Sequence, residues 1–357
     1  MRPRNACWMK PDAVDARRGS LKLPVFFLKP TIERQANMQT NSQPPAGRPV
    51  KISCISFSAM EVEQAAALLR QEAAFATDLA VLPEYWHGHE QPEPLDGPTI
   101  HAIAEAARAC RMYVVCPMDR LDDHGRRLNS AVLIDRQGQP AGVYDKHFPY
   151  WDELGFQPPV LPGAAIPVFE TDFGRLGLAT CFDMNFPEVW KNLADQGAEL
   201  VAWTSEVSGG LSLQAQAIAN HFYIVTADKS CDCSVFDITG QQILYERTPG
   251  LNVSRFTLDL DRGIYHYNFN LQKRARLLAE RRDAVTIDID LPEEEWFVLK
   301  AIQDGARARQ LASDYGLEEL RHYLERSRRE IDALREVKAL YQADLLAHLA
   351  EDLQHPG

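Results

Sequence analysis

Residues 51–57 read KISCISF, residues 78–82 read DLAVL and residues 112–116 read MYVVC. Short runs of this apolar composition are typical of buried β-strands. Residues 61–76, between the first two runs, are rich in Ala, Leu, Glu and Gln, which favour helix, and a second helix is predicted over 99–111. The order β-α-β-α-β predicts an α/β protein in which helices cover the faces of a sheet.

The mixture of strands and helices continues toward the C terminus. From residue 130 the sequence predicts three hairpins around turn-forming residues. Their strands lie over 131–135 and 142–144, 166–169 and 175–180, and 234–237 and 242–245. Further helices are predicted over 186–196 and 213–221, and further strands over 199–203 and 223–227. We therefore assign residues 51–265 to one α/β domain.

The two flanks of this domain differ from it. Residues 1–50 carry nine Lys or Arg and three acidic residues without any periodicity, which predicts a flexible basic leader. Residues 266–357 are predicted to form a helical C-terminal extension with one apolar face. That face carries Leu317, Leu320, Leu324, Ile331, Leu334, Leu345 and Leu349. We expect it to pack on the chain's own domain or on a partner subunit.

The composition excludes several classes of protein. The chain has 357 residues, with 50 acidic and 38 basic side chains and a formal net charge of −12. Such a chain lacks the basic face of a nucleic-acid binder, and it contains no apolar run long enough to span a membrane. Its seven cysteines, an odd number without a secretory signal, predict a reduced, cytoplasmic protein.

Three reactive side chains each follow an apolar strand. Glu84 follows VLP, Lys146 follows VYD and Cys181 follows LGLAT. Because ligands of α/β sheets gather beyond the strand ends, we expect the three to lie together. A thiol nucleophile, a carboxylate that takes its proton and an ammonium that stabilises an oxyanion can together perform acyl transfer. The backbone N–H of Phe182 is the candidate for a second oxyanion donor.

These motifs resemble those of the nitrilase superfamily of carbon–nitrogen hydrolases. LPE at Glu84, YDKHF at Lys146 and CFDMNFPE at Cys181 are similar to its Glu-Lys-Cys triad in order and spacing. The resemblance implies a four-layer-forming α-β-β-α sandwich. Two such sandwiches pair in a homodimer into an α-β-β-α-α-β-β-α stack. It also implies cofactor-free hydrolysis through a thioester on Cys181, with Glu84 as base and Lys146 as oxyanion stabiliser.

The resemblance also implies finer features of the site. Family members often carry a second glutamate after the lysine, a role that we assign to Glu153, with Asp152 as the alternative. CFDM is closer to amidase-like members than to the CWEN of nitrile-cleaving ones, which favours a small amide as substrate. A nitrile or an N-carbamoyl compound is the alternative substrate, and a scaffold or sensor without turnover is the alternative function. Asn185 stands where an arginine is usual, which disfavours a substrate carboxylate.

Aromatic residues cluster around the motifs and indicate an apolar or aromatic substrate, against the simpler interpretation that they form core. The candidate substrate-binding residues are Tyr85, Trp151, Phe182, Asn185 and Trp203. His87 and His89 resemble a metal motif, but the chemistry needs no metal and the sequence offers no Cys or His partner nearby. We therefore predict no metal site, and as partners a small-molecule amide and a second subunit but neither nucleic acid nor membrane.

Overall fold

Two β-sheets pack face to face, and helices cover both of their outer faces. The computed structural model describes residues 44–354, and within the last helix it leaves the side chains of 339–341 and 343–354 undescribed. Most of the predicted leader, residues 1–50, lies outside the described residues. Its last residues belong to the domain: the N–H of Gly47 donates to the carbonyl of Ala306 over 3.0 Å, and the first strand begins at Pro49.

The first sheet is built from the N-terminal half of the chain and one later strand. Its strands are β1 (Pro49–Phe57), β2 (Leu79–Val81), β3 (Glu93–Pro94), β4 (Tyr113–Leu121), β5 (Arg127–Ile134), β6 (Pro140–Asp145) and β13 (Leu251–Asp259). Their order is β13-β1-β2-β4-β5-β6, with β3 beside β4. Strands β1, β2 and β4 run parallel, and α1 (Val62–Gln71) and α2 (Pro98–Cys110) cover their outer face.

The second sheet follows in the chain and repeats this plan. Its strands are β7 (Val168–Glu170), β8 (Arg175–Thr180), β9 (Leu200–Ser205), β10 (Tyr223–Asp228), β11 (Asp232–Phe236) and β12 (Gln242–Arg247), in the spatial order β12-β11-β10-β9-β8-β7. Strands β8, β9 and β10 run parallel, so their carboxyl ends share one edge. Helices α3 (Pro187–Asp195) and α4 (Leu211–Asn220) cover the outer face.

The core follows from the alternation of side chains along each strand. In β2, Val81 packs between the sheets and Ala80 packs under the helices. In β8, Leu178 packs between the sheets and Ala179 packs against the helices of the second face. Strands with both faces buried read as nearly continuous apolar runs, which is the pattern seen in the sequence. The predicted α-β-β-α sandwich is thus confirmed.

The C-terminal part is only partly helical, so the prediction of a helical extension over 266–357 needs correction. Strands β14 (Gly263–His266), β15 (Val285–Leu291) and β16 (Trp296–Ala301) form a third, antiparallel sheet in the order β14-β16-β15. Helices α5 (Leu271–Arg281), α6 (Ala308–Asp314) and α7 (Leu320–Gln354) accompany it. The β15 sequence VTIDIDL alternates apolar and polar residues, a period-two signal that the leucine stripe further along obscured.

Four single turns of 3₁₀ helix complete the described structure, at Glu72–Phe75, Trp151–Gly155, Cys181–Asn185 and Pro292–Glu294. Two of them, at 151–155 and 181–185, follow strands of different sheets and carry residues of the candidate site. Within residues 44–354, we find no helix that combines the length and the apolar composition of a membrane span.

Candidate active site

Glu84, Lys146 and Glu153 meet in a buried cluster. Glu84 follows β2, Lys146 directly follows β6, and Glu153 lies in the 3₁₀ turn at 151–155. The Lys146 Nζ lies 2.9 Å from Oε1 of Glu84 and 2.6 Å from Oε2 of Glu153. The exposed fractions of the three residues are 1%, 2% and 4% in chain order. The alternative residue, Asp152, is exposed to solvent, so the structure brings Glu153 rather than Asp152 to the lysine.

Neutral donors complete the shell of the two carboxylates. The Asn129 Nδ2 donates to Oε1 of Glu84 over 2.6 Å and to Oε1 of Glu153 over 2.8 Å. The Tyr85 hydroxyl donates to the same Glu153 oxygen over 2.7 Å. The second oxygen of Glu84 accepts from the backbone N–H of Glu206 over 3.0 Å. Every described partner of the two carboxylates is thus a hydrogen-bond donor, so both side chains are fixed in position by several hydrogen bonds.

Cys181 sits on a sharp turn between β8 and the 3₁₀ helix that it begins. Its φ is 46°, a left-handed conformation that is unfavourable for a residue with a Cβ. The Trp203 indole N–H donates to the Cys181 carbonyl over 3.2 Å. The N–H groups at the start of the helix have no acceptor within it, so the N–H of Phe182 is available to a ligand.

A buried carboxylate braces the same turn. Asp183 accepts hydrogen bonds from the backbone N–H of Thr180 at 2.9 Å and of Phe148 at 2.9 Å, and from the Tyr144 hydroxyl at 2.6 Å. Phe148 follows Lys146 by two residues, so this side chain ties the lysine loop to the cysteine turn. Burial raises the pKa of Asp183 to about 6, although all three donors oppose the shift.

The electrostatics of the cluster assign each group a resting charge. Burial lowers the pKa of Lys146, but Glu84 and Glu153 outweigh it and raise the pKa well above its usual value, so the ammonium stays protonated. Burial also opposes ionisation of Glu153, yet Lys146 lowers its pKa overall. Burial and then the charge of Glu84 raise the pKa of Cys181 to about 12, against the opposing effect of Lys146. The thiol is therefore neutral at rest and needs a base to become a nucleophile.

The five candidate substrate-binding residues occupy different environments. Trp151 is 66% exposed, and Phe182 is half-buried with its ring centroid 5.3 Å from that of Tyr150, so both can line an entrance. Asn185 is exposed, and its Nδ2 donates to the carbonyl of Phe182 over 3.1 Å.

The other two candidates, Tyr85 and Trp203, lie inside the protein. Tyr85 is buried and supports Glu153, and Trp203 is fully buried beneath α3 and α4 and supports the backbone of Cys181. Each of them is thus hydrogen-bonded to a residue of the candidate site, and their contact with a substrate stays a prediction.

His87 and His89 are packed against aromatic rings. The ring of His87 lies edge-on to Trp86 at 4.7 Å, and His89 lies between Tyr85 and Phe156 at 5.4 and 4.7 Å. In the described part of the chain, no group of three or more His, Cys, Asp or Glu side chains is placed to hold a metal ion.

Sequence reasoning missed Asn129 and the N–H of Glu206. Asn129 lies in the middle of β5, where every residue of RLNSAVLI is buried. A polar residue at such a position must find hydrogen-bond partners, and that signal could have identified it. The Glu206 N–H carries no side-chain information, so only the structure could reveal it.

Comparison with known proteins places this geometry in a family. The family model described as Carbon-nitrogen hydrolase matches residues 57–250, more than half of the chain. This range contains Glu84, Lys146, Glu153 and Cys181. It ends before the third sheet and α7, so the model match concerns the sandwich and its site.

Curated relatives share the same region at moderate identity. Omega-amidase NIT2 of Homo sapiens is 24% identical over an alignment of 203 residues, which covers 51% of this chain and 74% of that protein. Beta-ureidopropionase of Arabidopsis thaliana is 33% identical over 146 residues, 38% of this chain and 36% of that protein. Deaminated glutathione amidase of Yersinia enterocolitica is 30% identical over 164 residues, 40% of this chain and 55% of that protein. This chain therefore spans about a third of the length of beta-ureidopropionase and about half of the length of deaminated glutathione amidase.

Solved structures share the fold. Nit3 of Saccharomyces cerevisiae, a member of branch 10 of the nitrilase superfamily, superposes with a TM-score of 0.54 at 17% identity over 60% of this chain and 91% of that chain. A carbon-nitrogen hydrolase of Helicobacter pylori gives a TM-score of 0.53 at 18% identity over 66% of this chain and 96% of that chain. Both are covered almost completely, whereas a third or more of this chain lies outside the superposed part.

Proposed function

The chain belongs to the carbon–nitrogen hydrolase family of the nitrilase superfamily, and we propose that it hydrolyses a small amide to an acid and ammonia through a thioester on Cys181. The observation that carries the proposal is the buried ammonium of Lys146, which bridges Glu84 and Glu153 close to the strained turn at Cys181. Burying such charges is costly. An ion cluster of this kind supplies fixed charges where charge develops in a reaction.

The first half-reaction forms the thioester. The Cys181 Sγ attacks the amide carbonyl carbon while Glu84 takes the thiol proton, because a thiol with a pKa of about 12 cannot ionise unaided. The carbonyl oxygen becomes an oxyanion, which Lys146 and the N–H of Phe182 stabilise. Glu84 passes the proton to the nitrogen, the carbon–nitrogen bond breaks, and ammonia leaves.

The second half-reaction regenerates the thiol. Water attacks the thioester carbonyl, and Glu84 accepts a proton from that water. The carbon–sulfur bond breaks, the sulfur takes up the proton, and the acid departs. Glu153 and Asn129 act as positioning residues, because they hold Lys146 and Glu84 rather than contact the reacting carbon. The balance is one amide and one water to one acid and one ammonia, so the reaction consumes no cofactor.

The entrance supports a substrate with an apolar acyl group. Tyr150 and Trp151 are 39% and 66% exposed; Tyr150 directly precedes the 3₁₀ turn that carries Glu153, and Trp151 is the first residue of that turn. Phe182 and Phe186 continue this aromatic rim, with ring centroids 5.4 Å apart. Two of the three relatives named above are amidases by name, which supports an amide over a nitrile.

A panel of primary amides tests the proposal. Purified protein should release ammonia from at least one short aliphatic or aryl amide, and Cys181→Ala should reduce the rate by about 10³-fold or more, as expected for loss of a nucleophile. Cys110→Ala is the matched control, because Cys110 is also partly exposed but lies on α2. Equal rates for wild type and Cys181→Ala on every substrate that reacts would refute the mechanism.

An N-carbamoyl compound is the second candidate substrate, and the 33% identity to beta-ureidopropionase favours it. The same triad would then release carbon dioxide together with ammonia. Adding N-carbamoyl compounds to the panel and measuring both gases separates the candidates: an amidase releases only ammonia, from the amides, whereas a carbamoyl hydrolase releases ammonia and carbon dioxide in equal amounts from the carbamoyl compounds.

A further inference from the structure

Helix α7 leaves the rest of the protein after its first turns. Near its start, the Arg321 guanidinium donates to the carbonyls of Ala198 and His221 over 3.2 and 3.1 Å, and the Tyr323 ring stacks on His266 at 3.9 Å. Farther along, the hydrogen bonds and ion pairs found among the described side chains of 327–338 stay within the helix. With 35 residues, α7 is about 52 Å long.

An apolar stripe runs along the free part of α7. Leu324, Ile331 and Leu334 are 52%, 48% and 68% exposed. Ile331 lies seven residues after Leu324, and Leu334 lies three residues after Ile331, which are spacings of the a and d positions of a coiled-coil seam. In the sequence, Tyr341 and Leu345 fall at later a or d positions, whereas Ser327 and Lys338 are polar residues at such positions. We call Leu324, Ile331 and Leu334 the α7 stripe. A helix of this length with an exposed stripe requires a partner that buries it.

The charges on α7 are unevenly distributed along its length. Residues 320–338 carry six Lys or Arg and four Asp or Glu, whereas residues 339–354 carry three acidic residues and neither Lys nor Arg. Two copies of α7 running in opposite directions place the basic half of each against the acidic half of the other. Copies running in the same direction place like charges together, which is unfavourable.

We propose that the α7 stripe is an interaction surface for a second copy of this chain, and that the two α7 helices pair antiparallel about an axis near Lys338. This residue is the last of the basic half and lies close to the middle of the helix. The surface is separate from the helices that cover the two large sheets, and the inference does not depend on the proposed catalytic function. The acidic second half disfavours an anionic membrane or a nucleic acid as the occupant.

The mass of the protein in solution tests the pairing. The double variant Ile331→Lys/Leu334→Glu places charges in the stripe at exposed positions, so the fold should survive, which circular dichroism checks. We expect its mass by light scattering to be half that of the wild type. Ala333 is exposed and lies on the opposite side of the helix from Leu324, so the control variant Ala333→Lys should leave the mass unchanged. Equal masses for the wild type and the double variant would overturn the proposal. The proposal would also fail if the double variant and Ala333→Lys had equally reduced masses.

Cysteine cross-linking tests the direction of the pairing. Under mild oxidation, Lys338→Cys should form a disulfide with itself across the axis. Leu324→Cys should not, because antiparallel copies place the two sulfurs about 42 Å apart along the helix. Peptide mapping distinguishes these disulfides from those of native cysteines. Cross-linking at 324 would overturn the antiparallel arrangement, whether or not 338 also cross-links, because parallel copies place identical residues side by side along the whole helix. Binding of the wild type, but not of the double variant, to phosphatidylserine vesicles at unchanged mass would assign the stripe to a membrane instead.

Discussion

The amide nitrogen of Asn129 donates to Oε1 of Glu84, the oxygen that also accepts from the ammonium of the site lysine. Asn129 lies on a central strand of the first sheet and is 1% exposed, so a rigid element fixes this carboxylate. The same nitrogen holds Glu153 as well, and one side chain thereby sets the spacing of the two acids. A site supported in this way is organised before substrate binds.

Replacing Asn129 with leucine, which has a similar shape and no donor, should therefore impair the chemistry more than the binding. We expect kcat on the best amide to fall by about 10–100-fold with a smaller change in KM, because a misplaced base and oxyanion stabiliser lose transition-state stabilisation. Steady-state kinetics measures both constants. A change confined to KM would contradict the positioning role.

Substitution of the exposed residue Trp151 and of the buried residue Tyr85 should change different kinetic constants. Trp151→Ala should raise KM several-fold for aryl amides and little for acetamide, since an exposed ring contributes apolar contact only to a large acyl group. Tyr85→Phe should lower kcat for all amides alike, because it removes one hydrogen bond to Glu153. A change of kcat or KM in Tyr85→Phe that differs between amides would indicate that Tyr85 contacts the substrate.

The raised pKa of the Cys181 thiol predicts an unusual pH dependence of alkylation. With a pKa of about 12, the thiolate fraction grows about tenfold for each pH unit between 7 and 10. Iodoacetamide labelling of Cys181, followed by peptide mass spectrometry, should increase without levelling off in that range. Labelling that reaches a plateau near pH 8.5, the range of an ordinary cysteine, would show that burial and Glu84 do not raise the pKa.

A pair of buried acids beyond the site predicts how stability changes with pH. Burial and the neighbouring Asp232 raise the pKa of Asp228 to about 8, whereas an unfolded aspartate titrates near 3.9. Between these values the folded state retains a proton that the unfolded state releases, so the free energy of unfolding falls as pH rises from about 4 to 8.

Asp228→Asn removes this titration and can donate to Asp232. We expect the variant to raise the thermal midpoint at pH 8 and to leave it nearly unchanged at pH 4, as measured by calorimetry. An equal change of the thermal midpoint at both pH values would show that the proton retained by Asp228 does not contribute to the pH dependence of stability.

The sandwich could be predicted because its strands are buried on both faces and therefore appear as apolar runs. The helices at 187–195 and 211–220 lie within two residues of their predicted ends. The strand β13 was missed because the alternation of apolar and polar residues in LNVSRFTLD is interrupted at Ser254 and Arg255, although Pro249 and Gly250 mark a turn directly before it. The third sheet was missed because the leucine stripe of α7 dominated the interpretation of the C-terminal part.

Some residues of the site could likewise be predicted from the sequence, and others could not. Glu84, Lys146 and Cys181 are the kinds of residue that attract attention after a strand, and Glu153 followed from the family resemblance. Asn129 and Trp203 were not assigned as supports, because a hydrogen bond to Glu84 or to the carbonyl of Cys181 depends on which strands become neighbours. Strand order is set by packing across the whole sheet, and local sequence does not carry it.

The central claim is that Cys181 carries the acyl group, and intact-protein and peptide mass spectrometry after rapid acid quenching tests it most directly. During turnover of an amide from the panel, the proposed mechanism predicts a peptide containing Cys181 whose mass is increased by the acyl group. It predicts no such adduct in Cys181→Ala or on Cys110. Turnover at full rate without an adduct on Cys181, or with the acyl group on another residue, would contradict it.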